Sequence, residues 1–560
     1  MRRSIRHELS PLTDPFRWPS ATGFRFVTLL LAVAGASLAL IDYIVLWKYG
    51  LTYFRMFQKC QLYFEYGTAE LSRCTSPVQI IRVGLDLTYL SAVLLIAGGL
   101  WWFYPRLIVR RRHLVVLPVD VTLQTSLAEL VHTSGLRRTP QWWLEPGNLQ
   151  CSGMAFGHPK RRMVALSAGL LVIRNRSPDR FRAIVLHELA HIRNQDLDLS
   201  FGGVALSRIF IFAVMVPFVI AAIDNILKFG TSIASIQYII RGGLTLLIVA
   251  LLRNSVLRTR ELFADARAMQ QGATALPDLV AAMSSDEGWR TRTGMHPTAA
   301  ERLATLGDST RLSGRELAAA FGSSLAAGLG ITATIPLVQS LLSPFDPVLL
   351  NLTHGELASL VTSVIFLVPA MLSTMAAIWR SSTVAGVHSQ HVQIVWPNAL
   401  AVAAGVVVGM ELSPLTSIQE SPTSVGELAV LLILMVTNIL ITAVGVALLL
   451  TFVVRVGRKS ASDHVDQRRR FYWIFLTLAA FASARWMALA ISSYTMTRNN
   501  IALHLDLPTL LGGGLTLIIA SATFVVDRVL VVLGAALIML VFVKWYQHRK
   551  TNIKSNLNIN

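Results

Sequence analysis

Cysteine is scarce in this chain: Cys60, Cys74 and Cys151 are the three in 560 residues. None belongs to a Cys-x-x-Cys pair, which excludes thiolate metal sites and a disulfide-dense scaffold. Charge is scarce too, at 14% of residues, and acidic charge most of all, with 31 Asp and Glu against 50 Lys and Arg. So basic a balance would suit a nucleic-acid binder if it were gathered on a recognisable module, and no such module is present, so no nucleic-acid partner is expected. Internal repeats and low-complexity linkers are also lacking. What fills the chain is apolar: 53% of residues, with a mean hydropathy of +0.55.

The apolar residues are gathered in runs that read as membrane spans near 24–47, 82–104, 201–223, 233–252, 316–342, 357–379, 397–412, 427–454 and 471–493. A last stretch, 508–546, is interrupted by Asp527-Arg528 and reads as one long tilted helix or two short ones. The first run is too long for a signal-peptide core and has no convincing cleavage site, so it reads as a signal anchor. Arginine collars give the orientation. Arg2, Arg3, Arg6 and Arg17, then Arg106 and Arg110 to Arg112, then Arg455, Arg458, Lys459 and Arg468 to Arg470 all fall on one side if the N-terminus is cytosolic. Loops 343–356 and 413–426 carry no Lys or Arg, whereas the 48–82 loop is the exception, with Lys48, Arg55, Lys59, Arg73 and Arg82. Keeping Lys544, His548, Arg549 and Lys550 inside favours a single final helix, for about ten spans. The collars would also meet anionic lipid headgroups. Cys60 and Cys74 share the one long non-cytosolic loop, where a disulfide is expected and two free thiols are the alternative; Cys151 is expected reduced and half-buried. Asp42, Asp86, Arg208, Arg241 and Arg485 are ionisable residues inside spans. Asp42 and Asp86 lie near the outer span ends, where water access is the simple expectation.

The most specific pattern is His187-Glu188-Leu189-Ala190-His191. Histidines four apart share one helical face and suit one Zn²⁺, and the intervening glutamate suits a general base acting on water. A surface His/Glu cluster is the alternative, but the apolar lead-in Phe181 to Leu186 argues for a buried helix. A catalytic zinc site takes three protein ligands and leaves a position open. Glu261 is the candidate third ligand, in Arg258-Thr-Arg-Glu-Leu-Phe-Ala-Asp-Ala266, with Asp265 four residues on and placed to hold the free N–H of a ligand histidine. Asp196, five past His191, would brace the helix end or a basic group. In His296-Pro-Thr-Ala-Ala-Glu-Arg302, His296 either stabilises an oxyanion or belongs to a polar helix start, and Arg302 would pair with Asp265 or Asp196.

The order of these three segments resembles the integral-membrane gluzincins that include the HtpX-like proteases and the CAAX prenyl proteases, over roughly residues 20–310. The resemblance implies a zincin-like α+β metallopeptidase domain. It also implies that Met154-Ala155-Phe156 lies in an edge strand that binds substrate by strand addition, followed by a turn feeding the zinc helix. The family usually has Asn-Ala-Phe there, so any role of that Asn side chain is lost at Met154.

Together these readings give a polytopic α-helical membrane protein of about ten transmembrane helices with a cytosolic metallopeptidase domain. Residues 1–315 are expected to hold the peptidase, with four spans and catalytic segments 105–200 and 253–315; residues 316–560 hold further spans of unassigned role. The expected activity is endopeptidase cleavage of membrane-associated or unfolded proteins with one zinc ion per chain, in a bacterial plasma membrane. A sensor-type metalloprotease that cleaves a cytosolic regulator, and a transporter with a vestigial protease fold, are the alternatives. Oligomeric state has no sequence signal.

Overall fold

The computed structural model describes residue 16 and residues 21–64, 69–282, 296–312, 316–342, 354–387, 395–413, 425–460 and 469–501. The chain divides into two compact units, Met1–Arg315 and Glu316–Asn560.

The first unit opens with two long helices, α1 (Ala21–Gln61) and α2 (Ala69–Arg111). At 1.5 Å per residue each is about 60 Å long, twice what a bilayer core requires. A Cys60–Cys74 disulfide joins the C-terminal end of α1 to the first turns of α2. Asp42 and Asp86 are buried rather than wet: both are under a tenth exposed, and Arg82 reaches from α2 to grip both oxygens of Asp42. A small mixed sheet follows, built from β1 (Val115–Val116), β2 (Gln141–Glu145), β3 (Gly153–His158) and β4 (Arg161–Ser167) in the order β1-β2-β4-β3, with α3 (Val121–Ser134) between β1 and β2. β3 is thus an edge strand, antiparallel to β4 with Ala155 opposite Val164. Then come α4 (Ala168–Arg176), α5 (Pro178–Asn194) and α6 (Leu197–Ile209). α6 runs through a wide π-helical turn, Phe210–Met215, into α7 (Val216–Phe229). Pro217 explains the wide turn: it has no N–H to give the carbonyl four residues back, that of Ala213, and the Tyr89 hydroxyl donates to that carbonyl instead.

α8 (Ile233–Gln270) returns as a 38-residue rod. At about 57 Å it outreaches the bilayer, so its first half is apolar span and its second half carries Glu261 and Asp265 into the domain. Short helices α9 (Leu276–Ala282) and α10 (Ala299–Gly307) close the unit. Leu127, Leu166, Leu170, Leu186 and Leu189 lie in one buried core shared by α3, β4, α4 and α5, while Leu29, Leu40, Phe210 and Phe218 anchor the core of the spans.

The second unit contains α11 (Glu316–Leu342), α12 (His354–Val387), α13 (Val395–Leu412), α14 (Val425–Ser460) and α15 (Arg469–Ile501). Small residues let the backbones approach, as between lipid-embedded helices generally. A Cβ on Gly328 of α11 would lie 2.2 Å from the Val406 carbonyl oxygen of α13.

Eight helices are long and apolar enough to cross a membrane, which makes this a multi-pass membrane protein; they match the first eight runs of the sequence. The expected ninth, 471–493, lies within α15, of which Trp473–Ala488 is an apolar stretch shorter than a full span. The 508–546 stretch and the arginines at 2, 3, 6 and 17 lie outside the described residues, and the count of spans among those described is eight.

Candidate metal centre

α5 starts at Ser177, with Pro178 at the first helical position, where the missing N–H is harmless. Phe181, Val185, Leu186 and Leu189 seat it in the core. His187, Glu188 and His191 are buried as well, each at most 9% exposed. The two imidazole rings stand nearly perpendicular, at 87°, with centroids 4.8 Å apart.

Glu261 enters from α8. Its Oε2 lies 3.5 Å from His187 Nε2, and its Oε1 lies 3.7 Å from His191 Nε2. One donor atom from each of the three residues fits within 4.8 Å of the others, which is the spacing of a single metal ion's ligands. The opposite ring nitrogens face carboxylates. His191 Nδ1 is 3.2 Å from Asp196 Oδ1, and His187 Nδ1 is 2.9 Å from Asp265 Oδ1, the latter at an angle too oblique for a well-aligned hydrogen bond. Protons held at Nδ1 leave both Nε2 lone pairs pointing at Glu261, the tautomer that a metal ligand needs.

Local turns make this possible. α5 ends on Gln195 in the left-handed conformation, φ 57°, which turns the chain back so that Asp196 sits beneath His191. α10 begins with a reciprocal cap between Thr298 and Glu301, which orients the next residue, Arg302. Arg302 makes a two-pronged bond to Asp265, 2.7 Å at each contact. Burial works against the Arg302 charge, but Asp265 outweighs it and raises the guanidinium pKa. Arg260 makes a second fork, with Nε and a terminal nitrogen 3.1 and 2.9 Å from Glu261 Oε1.

The donor set suits a dication. Among the described residues, four buried carboxylates, Glu188, Asp196, Glu261 and Asp265, are paired with two arginines, Arg260 and Arg302. Two positive charges make up the difference. The metal-free pocket pulls on protons for the same reason: burial lowers the His187 pKa, but the carboxylates of Asp265 and Glu261 outweigh burial and raise it to about 10.

Glu188 is not a metal donor in this arrangement. Its Oε2 accepts a 2.6 Å bond from the backbone N–H of Ala155 on β3. The bond from Ser167 N to Ser152 O sets the phase of the β3–β4 ladder, so 152, 154 and 156 turn their main chain to β4 while 153 and 155 turn theirs outward. The free edge therefore belongs to Gly153 and Ala155. Met154 and Phe156 do not share it, and Phe156 is fully buried against Ile108, Leu114 and Met163, because an alternating strand sends that side chain into the core. Gly153 passes so close to the helix that a Cβ there would lie 2.8 Å from Glu188 Cγ.

His296 is exposed, and among the described residues no hydrogen bond or ion pair joins it to the triad; Thr298, not His296, caps α10. Cys151 is free and exposed rather than half-buried. The parts that sequence reasoning did not find are the Arg260 fork, whose only signal was adjacency to Glu261, and Gly153, where a glycine inside a strand marks a close approach.

Residues 122–310 match the family model described as Peptidase family M48. A curated relative, a protease HtpX homolog from Persephonella marina (strain DSM 14350 / EX-H1), is 28% identical over 102 residues, 18% of this chain. The chain thus spans 34% of that relative's length. No solved structure matches the chain at a significant level. The region that matches the family model is the one that carries both histidines, Glu261 and Arg302.

Proposed function

We propose that this chain is a membrane-embedded zinc-dependent endopeptidase of the HtpX-like kind. The observation that carries the reading is the convergence of His187 Nε2, His191 Nε2 and Glu261 in one buried cluster, with a carboxylate behind each histidine. Similarity to Peptidase family M48 over the same residues supports it.

His187, His191 and Glu261 would hold the zinc ion, which supplies a Lewis acid that polarises the scissile carbonyl and lowers the pKa of a water to about 7. Glu188 takes the proton from the attacking water and hands it to the leaving amine. The Ala155 N–H keeps the Glu188 carboxylate aimed while it does so. An extended peptide pairs with the outward main chain of Gly153 and with the Ala155 carbonyl, which gives affinity with little demand on side chains. The charges of Arg302 and Asp265 stay fixed, and together they hold His187 in place.

The substrates proposed are peptide segments at the membrane boundary. Support comes from the β3–β4 turn. His158 stacks on Trp102 of α2, 4.7 Å between ring centroids, and Trp101 lies beside it. Adjacent tryptophans near the end of a span mark the interfacial belt, so the substrate-binding edge starts at headgroup depth. The catalytic side is taken as cytosolic, because the Cys60–Cys74 bridge sits at the opposite end of the hairpin and needs an oxidising compartment. Thiol labelling of Cys60 and Cys74 in intact cells after reduction tests this; labelling only after lysis reverses the orientation.

A vestigial site would be free to lose a donor or the base, and all are present, which disfavours the transporter reading. The test is zinc content and casein cleavage for the purified full chain against Glu188→Gln. The variant is expected to keep zinc and lose cleavage by about 10²- to 10⁴-fold. A wild-type chain that binds no zinc sinks the proposal.

A further inference from the structure

Arg260 follows from no metal-site pattern, yet it bonds directly to Glu261, one of the three residues that would hold the metal. Both bonds of its fork fall on the same oxygen of Glu261, Oε1, at 3.1 and 2.9 Å. The Arg260 side chain is 19% exposed and that of Glu261 9%, so little water competes for that oxygen. Oε2, the oxygen nearer His187 Nε2, is left outside the fork. A carboxylate ligates a metal ion through one oxygen or through both, and the second mode fills a coordination position. Three protein donors leave a position for water only while the carboxylate uses one oxygen.

We propose that Arg260 is a positioning residue that occupies Glu261 Oε1, restricts Glu261 to ligation through Oε2, and so keeps the fourth metal position open. The inference rests on the metallopeptidase reading above. A guanidinium suits this role because it is planar, offers two parallel donors and stays charged, whereas an ammonium is a point charge with no fixed fork. Simple charge balancing is the competing role. It would be filled equally by lysine and would not alter the coordination number.

The experiment uses the full-length protein in detergent, loaded with Co²⁺ in place of zinc, as wild type, Arg260→Met and Arg260→Lys. Four-coordinate cobalt absorbs visible light several-fold more strongly than five-coordinate cobalt, so the spectrum reports the open position independently of turnover. Wild type is expected to give the strong four-coordinate spectrum. R260M is expected to bind cobalt still, to shift to the weaker five-coordinate spectrum, and as a zinc enzyme to lose about 10- to 100-fold in kcat with KM little changed. R260K is expected to fall between the two, and it carries the test if R260M does not fold. An R260M spectrum identical to wild type overturns the proposal, as does full rescue of spectrum and kcat by R260K, which would mean that charge alone is at work. Wild-type protein that takes up no cobalt removes the metal reading itself, a failure distinct from the other two.

Discussion

Asp265→Asn removes one charge from a carboxylate with no solvent exposure that bonds Arg302 twice at 2.7 Å and contacts His187 Nδ1 at 2.9 Å. Two separable costs follow. The Arg302 side chain, 12% exposed, loses the charge that its fork grips; breaking a buried pair from one side costs about 3–5 kcal/mol. His187 loses the anion that fixes its tautomer, a change worth about 10- to 100-fold in metal affinity. The first cost is read from thermal unfolding of the metal-free protein, the second from zinc competition against a chelator. The double variant Asp265→Asn/Arg302→Met separates them. It leaves no stranded guanidinium, so the Arg302 share of the lost stability should return, while metal affinity should stay low because His187 is still unsupported. An Asp265→Asn protein as stable as wild type would refute the buried-pair reasoning, and a double variant with wild-type zinc affinity would refute the orienting role of Asp265.

The His187 pKa gives a signed pH effect. Raised from 6.5 to about 10, it contributes stability to the metal-free protein that is complete below pH 6.5 and is lost as the pH rises through about 10. Because a ligand histidine must be neutral, zinc loading near pH 8 should release about one proton, seen as a buffer-dependent heat by calorimetry; a heat that is the same in every buffer contradicts it. Gly153→Ala should push Glu188 off its bond to Ala155, given the 2.8 Å approach, and lower kcat while zinc content holds. Full activity in that variant would mean that the strand yields and that the bond does not matter.

The histidine pair and Glu261 with Asp265 were legible because each pair is four residues apart, and one helical turn stacks such residues whatever else the chain does. The first eight apolar helices were legible for a similar reason, since crossing a bilayer demands a run of a certain length and composition. His296 shows the limit of reading by resemblance: a histidine beside a proline can start a helix or serve a reaction, and nothing local distinguishes the two. Phe156 shows another. The apolar strand was recognisable, but which residues turn their main chain to the free edge depends on pairing with β4, and a phase shift of one residue exchanges the faces. Asp42 and Asp86 looked wet from their position near span ends, and it is the packing of α1 on α2, with Arg82 between, that buries them.

Short-range geometry is what the amino-acid order can enforce unaided: which stretches are long and apolar enough to cross a membrane, and which pairs of donors share a helical face. Tertiary structure decided the rest. α8 brings Glu261 to a helix some 70 residues earlier in the chain, an about 60 Å hairpin ends in a disulfide far from that site, and Ala155 offers its N–H to Glu188 across 33 residues of sequence. Contacts of that kind depend on how separate elements pack. Packing is settled by a whole core at once, and no window of the sequence contains it.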